Sequence, residues 1–327
     1  MNRPVKRKAA PFENLSFTPQ LAEGSTLFSV LKAFFSKPKT TKPQFALPAV
    51  KTDLHSFYSK KPAIIWFGHS SYLIHCDGIN ILVDPVLSGY ASPFSFSIKA
   101  FKGTDIYKPA DMPPIDWIIL THNHYDHLDI HTLQQLAGKT KAYILPSGVS
   151  GNLKSLHIQP GQLAELGWWQ SAELAPGITI TSTPARHFSG RGIKRNGTLW
   201  TSYVLDIHGY KLFIGGDSGY DDHFKEIGNR FGPFDLAMLE CGQYNTMWPY
   251  IHSMPEELIP EAVELKAKVT MPVHWGKFSL AMHHWKEPVT RFIQAADKAG
   301  LAYTTPQIGE PVIIDEYYPR NKWWEDV

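Results

Sequence analysis

The sequence predicts an α+β fold in which two mixed β-sheets pack face to face with helices outside. Three observations carry that prediction. Apolar, β-prone runs joined by hairpin signals come first, strands then alternate with helical segments, and the same succession repeats in the second half. His122, His187, Asp217 and His274 each fall just past the C-terminal end of a predicted strand, where loops on such scaffolds build sites. With 327 residues, 43% hydrophobic and 19% charged, the chain can bury a large core.

In chain order, residues 1–62 read as a basic arm and strap and 63–327 as the folded domain. Residues 1–20 are expected to be a solvated, partly mobile extension. Residues 27–35 are apolar around Lys32 and fit a short amphipathic helix, packed on the body or lying on a membrane. Pro38, Pro43, Pro48 and Pro62 keep 36–62 extended. Strands are predicted at 63–67, 71–75 and 79–83, the last two joined by the turn Asp77-Gly78. A long loop covers 86–114, a length that usually signals function. The apolar run 116–120 reads as a doubly buried strand, followed by a helix at 129–137 and a strand at 142–145. Further strands fall at 178–182, 200–207, 210–214, 236–240 and 269–273. A capping-box pattern at Ser253-Met254-Pro255-Glu256 opens a helix towards 267, with Pro260 marking a kink or a later start. A last helix fits 287–299, stopped by Gly300.

The formal net charge of +2 gives no field for nucleic acid. It hides an asymmetry: residues 1–60 carry ten Lys and Arg against three acids, for +7, and the remainder carries −5. Such an arm can touch anionic lipid at a membrane periphery. Two cysteines, Cys76 and Cys241, fit buried thiols in a reducing, cytoplasmic compartment. No apolar run is long enough to span a bilayer.

The run Thr121-His122-Asn123-His124-Tyr125-Asp126-His127 carries the chemistry. Residues two apart on extended chain can point the same way, so His122 and His124 can share one metal. Asp126 and His127, on the turn that follows, can reach a second. Imidazole and carboxylate together suit zinc, and also iron or manganese. Left unpaired behind a buried strand, these groups would each cost about 1–3 kcal/mol, which leaves packing a poor explanation for the cluster.

His-x-His-x-Asp-His after a strand resembles the signature of the metallo-β-lactamase-fold hydrolases. The later order matches too, with His187, then Asp217 in Gly-Gly-Asp-Ser-Gly, then His274 in Pro-Val-His-Trp-Gly. The resemblance implies a four-layer αββα sandwich and two divalent metal ions, zinc first among the candidates. It implies one ion on His122, His124 and His187 and another on Asp126, His127 and His274, bridged by Asp217 and a hydroxide. Trp66-Phe67-Gly68-His69, Asp84-Pro85, Thr198-Leu199-Trp200, the stretch 226–236 and His252 with Pro255-Glu256-Glu257 are similar to the N-acyl-phosphatidylethanolamine phospholipase D family, over roughly 63–285. That implies a phosphodiesterase attacking phosphorus through the bridging hydroxide, with Asp126 and Asp217 in the catalytic set. The residues around His187 and around Glu240-Cys241-Gly242 depart from the family pattern, which bears on substrate rather than on metal.

Other residues have two readings each. His252 binds a phosphate oxygen or protonates the leaving oxygen, or is a surface residue beside a helix. Asp84 orients a metal-bound histidine from behind, or is a turn residue before Pro85. His69 does the same or caps a turn, the turn being preferred. His283 and His284 are expected in a solvated loop. Trp168-Trp169 and Trp248 line an acyl groove or belong to the core. The alternative functions are a lactonase acting on a sugar-phosphate lactone and a metal-binding scaffold without catalysis. A long apolar groove at the site would favour lipid, and a small polar pocket the lactone. The expected partners are a phospholipid or small-molecule substrate, a membrane touched through the arm, a second copy in a homodimer, and no nucleic acid.

Overall fold

The computed structural model describes residues 11–192 and 194–327. The first sheet opens with a meander of β1 (Ala63–Trp66), β2 (Tyr72–Cys76) and β3 (Ile79–Val83), continued by parallel β4 (Ile115–Ile119), β5 (Thr140–Pro146) and β6 (Leu163–Leu166). The second holds β7 (Ser171–Ala175), β8 (Ile178–Thr183), β9 (Ser202–Ile207), β10 (Tyr210–Ile214), β11 (Leu236–Glu240) and β12 (Thr270–Val273), in the order β12-β11-β10-β9-β8-β7. The chain then returns to the first sheet as β13 (Pro311–Ile313), antiparallel to β1. Asp77-Gly78 and His208-Gly209 both have positive φ at the two turn positions, which matches the twist of the hairpins they close.

One buried cluster draws on both sheets, from Ile64, Ile74, Ile81 and Ile118 to Leu205, Phe213, Met238 and Met271. Polar threads cross between the layers as well: Tyr203 Oη donates to the Leu120 carbonyl at 3.0 Å, and Thr201 N–H to that of Thr121 at 3.0 Å. The sandwich is therefore an α+β fold of two mixed sheets, as the hairpin and alternation pattern predicts.

The helices are α1 (Leu27–Phe35), α2 (Ile130–Leu136), α3 (His223–Phe231), α4 (Leu258–Leu265) and α5 (Glu287–Ala299). Asp129 caps α2 by accepting from the N–H groups of His131 and Thr132. The expected capping box at Ser253 is absent. Ser253 is fully buried and turns its hydroxyl to the Ser218 carbonyl and to Glu261. The helix starts later, at Leu258, so Pro260 lies in the first turn, where its missing N–H would have no partner. Strands β6, β7 and β13 and helix α3 escape sequence reading. The strands are short and half-exposed at sheet edges, and α3 is amphipathic but carries Gly228 mid-helix. A Cβ on Gly228 would lie 1.9 Å from the Glu264 carbonyl, so the glycine lets α3 and α4 touch.

The solvated extension expected over residues 1–20 needs correction where the structure describes it; the first ten positions lie outside the described residues. From residue 11 onward the chain is tied to the body. Phe12 N–H donates to the Asn196 carbonyl, and the Asn14 carboxamide bonds to the backbone of His187. No helix among the described residues is long and apolar enough to cross a membrane.

Candidate metal centre

Strands β8, β10, β11 and β12 run in one direction, β8 and β10 both being antiparallel to β9. Their C-terminal ends share one edge, which presents His187, Asp217, Glu240 and His274. From the other sheet, β4 delivers His122 to His127. Close approach shapes the edge: a Cβ on Gly216 would sit 2.3 Å from the Thr201 carbonyl and 3.2 Å from Thr121 Cβ, so only glycine lets Asp217 follow β10. Three residues of the site have left-handed backbones, His69 (φ 56°), Asp84 (φ 38°) and His274 (φ 66°). Each costs roughly 1–3 kcal/mol, strain of the kind that collects at functional sites.

Two groups of donors meet around Asp217. In the first, His124 Nδ1 lies 2.9 Å from His122 Nε2 and 3.2 Å from His187 Nε2. Asp217 Oδ2 is 3.8 Å from His122 Nε2 and 3.7 Å from His187 Nε2. Ligands at zinc distances on a tetrahedron are separated by roughly 3.3 Å, so this spacing suits a shared ion. In the second group, Asp126 Oδ2 lies 2.9 Å from His69 Nε2 and 3.4 Å from His127 Nε2. Asp217 Oδ1 is 3.2 Å from both His127 Nε2 and His274 Nδ1. Asp217 thus gives one oxygen to each group.

His69 departs from the turn reading preferred from sequence. Its backbone makes the turn, but its ring is fully buried, 4.0 Å from that of His274, with Nε2 on Asp126. Asp84 is buried behind the site. Its Oδ2 accepts from His127 Nδ1 at 2.7 Å and from Thr121 Oγ1 at 2.6 Å, and its Oδ1 from Thr121 N–H at 2.8 Å. That bond holds a proton on Nδ1, so Nε2 is the nitrogen that would face an ion, giving up its own proton as the ion binds. His187 Nδ1 is held in the same way by the Ile251 carbonyl at 2.7 Å.

His252 stacks over His274 at 5.5 Å and meets His187 edge-on at 4.9 Å. Its Nδ1 bonds to Glu240 Oε2 at 2.9 Å. The sequence reading gives Glu240 no role in the site, although an acid ending an otherwise apolar strand is an available signal. Asn14 was missed too, since nothing local marks it. His283, expected in a solvated loop, instead accepts from Gln243 N–H at 2.9 Å and stacks on Tyr244. Trp248 lines the cavity beside the site, whereas Trp168 bonds to the Trp200 carbonyl on the body.

The protonation states suit cation binding. Burial pushes His122 and His274 well below the ordinary histidine range, and His124 and His187 to about 3, so all four are neutral with lone pairs available. Burial opposes charge on Asp126 and Asp217, but the neighbouring histidines, His127 foremost, outweigh it and hold both carboxyls well below their usual values. Burial also opposes charge on His127, yet Asp217, Asp126 and Asp84 together hold it well above its usual value. The cluster therefore carries excess negative charge. Buried atoms at its centre lack hydrogen-bond partners: His127 Nε2, Asp217 Oδ1, His274 Nε2 and His69 Nδ1. At about 1–3 kcal/mol for each orphan, such a centre calls for a cation, and neutral imidazoles with ionised carboxylates are the donors a divalent metal takes.

A two-sheet sandwich with buried histidines and aspartates at its strand ends defines the metal-dependent hydrolases of the metallo-β-lactamase fold. The chain belongs to the β-lactamase superfamily, whose family model, described as Beta-lactamase superfamily domain, matches residues 79–275. An uncharacterised protein of Mycobacterium tuberculosis is 36% identical over 293 residues, covering 88% of this chain and 78% of that one. The mitochondrial N-acyl-phosphatidylethanolamine-hydrolyzing phospholipase D of Saccharomyces cerevisiae is 32% identical over 270 residues, 76% of this chain and 55% of the yeast protein. Among solved structures, a metallo hydrolase from Ignicoccus hospitalis superposes with a TM-score of 0.59 over 79% of this chain and all of its own, at 19% identity, a likeness of fold.

Proposed function

We propose that this protein is a phosphodiesterase of the phospholipase D type that acts on N-acyl-phosphatidylethanolamine-like phospholipids with two divalent metal ions, zinc being the best fit. One observation carries the reading. A cavity of about 580 Å³ opens onto the donor cluster, and apart from the site residues its wall is mostly apolar, with Leu21, Leu27, Val30, Phe34, Trp248 and Ile251. Its size falls in the range of ligand pockets, and its lining suits acyl chains better than a sugar phosphate. The lactonase reading called for a small polar pocket.

His122, His124 and His187 would hold one ion, and Asp126, His127 and His274 the other, with Asp217 between them and His69 beside Asp126. Metals bound there would supply a water ionised near neutral pH and neutralise charge on the phosphodiester. The protein's own groups keep that arrangement in place. Asp84 and the Ile251 carbonyl fix the rings of His127 and His187, and Asn14 fixes the His187 backbone. His252 lines the cavity with Nδ1 held by Glu240, and its other nitrogen would bind a phosphate oxygen or give the leaving oxygen its proton. In the reaction, oxygen from water joins phosphorus and the bond from phosphorus to the head-group oxygen breaks. The products are phosphatidic acid and an N-acylethanolamine.

The test is release of phosphatidic acid from detergent-dispersed N-acyl-phosphatidylethanolamine by metal-loaded protein, abolished by His122→Ala and by Asp217→Asn. Metal-loaded wild type that is inert on every phospholipid, but opens a sugar-phosphate lactone, would overturn the assignment.

A further inference from the structure

We infer that the outer face of α1 is a docking surface for an anionic phospholipid bilayer. The helix carries two apolar stripes at the same spacing. Leu27, Val30 and Phe34, at i, i+3 and i+7, line the cavity. Phe28, Leu31 and Phe35 repeat that spacing one residue on and are 77%, 56% and 91% exposed. None of the nine residues of α1 is buried by the body. Thr26 and Ser29 nevertheless close a reciprocal capping box at its start, so the helix is a built element. Phe45, further along the strap, is 68% exposed.

Charge selects the occupant. Residues 24–50 contain no aspartate or glutamate, and Lys32, Lys39 and Lys42 are exposed there, while Lys37 turns inward and donates to the Ser279 carbonyl. Exposed aromatic and leucine side chains among lysines with no acid in the segment match the interface of an anionic membrane, where the rings enter the acyl boundary and the ammonium groups meet head-group phosphate. A nine-residue helix is about 14 Å long and cannot cross a hydrocarbon core of about 30 Å, so α1 lies on the surface. The two stripes share one helix, so the bilayer would touch the element that walls the cavity. The inference stands on this surface and does not require any particular reaction at the metal centre.

The experiment is sedimentation of the full metal-loaded chain with vesicles of phosphatidylcholine alone and of phosphatidylcholine mixed with phosphatidylglycerol. Binding is expected on the anionic vesicles, weakening as salt is added. Each of Lys32→Ala, Lys39→Ala and Lys42→Ala should weaken it about fivefold. Phe28→Ser and Phe35→Ser together should lower it at least about tenfold, with thermal midpoint and metal content unchanged. The single variants serve if the double variant is unstable. Wild type that stays native but unbound would overturn the proposal, as would variants that bind like wild type. So would sedimentation equilibrium showing a dimer that the two serine substitutions split, since the face would then be an interface between copies.

Discussion

The carboxamide of Asn14 grips the backbone of His187 at both ends. Its Nδ2 donates to the His187 carbonyl at 2.8 Å, and its Oδ1 accepts the His187 N–H at 3.1 Å. The same oxygen accepts from Trp200 Nε1 at 2.9 Å. A residue 173 positions upstream thus completes the loop that presents a metal-site histidine and ties the arm directly to the site.

Asn14→Ala should therefore weaken metal binding although Asn14 is no ligand. Two backbone groups lose their partner, at about 1–3 kcal/mol each, and the ring of His187 loses its fixed approach. Metal affinity measured by competition with a chromophoric chelator should fall about tenfold or more. An unchanged affinity would show that the contact serves the arm alone.

Asp84→Asn tests the ring orientation of His127. An amide nitrogen in place of Oδ2 would oppose the Nδ1 proton and favour the tautomer with its proton on Nε2. Metal affinity should drop about 10–100-fold with the fold retained, read by metal analysis after dialysis alongside circular dichroism. Asp84→Glu should not restore it, because the carboxylate also holds Thr121 through two bonds.

Stripping metal should destabilise the protein. The orphaned atoms of His127, Asp217 and His274 would again lack partners, and Asp126 and Asp217 would stay ionised in a buried site. Free metal at a thousandfold excess over its dissociation constant contributes about 4 kcal/mol, so calorimetry should show a lower midpoint in chelator and recovery on adding zinc. Asp217→Asn should abolish that recovery.

Val30→Trp should narrow the cavity at its α1 wall. Val30 packs near Trp248, Ile251 and Ala281. KM for a long-chain phospholipid should rise about tenfold, the scale of a misfit in an apolar pocket, while a short-chain analogue is spared. Equal losses on both would locate the acyl chains elsewhere.

Lys277 is buried, and its ammonium donates to the carbonyls of Phe67 at 3.0 Å and Val86 at 2.9 Å. Burial lowers its pKa from 10.5 to about 8. Between those values the unfolded chain binds more protons than the folded one, so its contribution to stability rises with pH across that window and is least below about 8. Lys277→Met should destabilise by about 1–3 kcal/mol for each carbonyl left bare. In urea titrations the gap between wild type and variant should widen from about pH 7 to about pH 9.5; a constant gap would contradict the shift.

The sequence by itself determined the ordering of strands and helices, because periodicity, turn residues and caps are local. It marked the hairpins at Asp77-Gly78 and His208-Gly209, the stop of α5 at Gly300, and the cluster from His122 to His127, since that many ligating groups behind an apolar strand have no packing role. The edge strands β6, β7 and β13 were invisible because short, half-exposed segments carry no alternation. Tertiary structure decided what depends on groups far apart in the chain: which oxygen of Asp217 faces which histidines, that the ring of His69 leaves its turn to join Asp126, that Glu240 backs His252, and that Asn14 holds His187. It also made the arm a wall of the cavity. Local pattern says what a segment can form, whereas burial and orphaned hydrogen-bonding atoms arise only when distant segments meet.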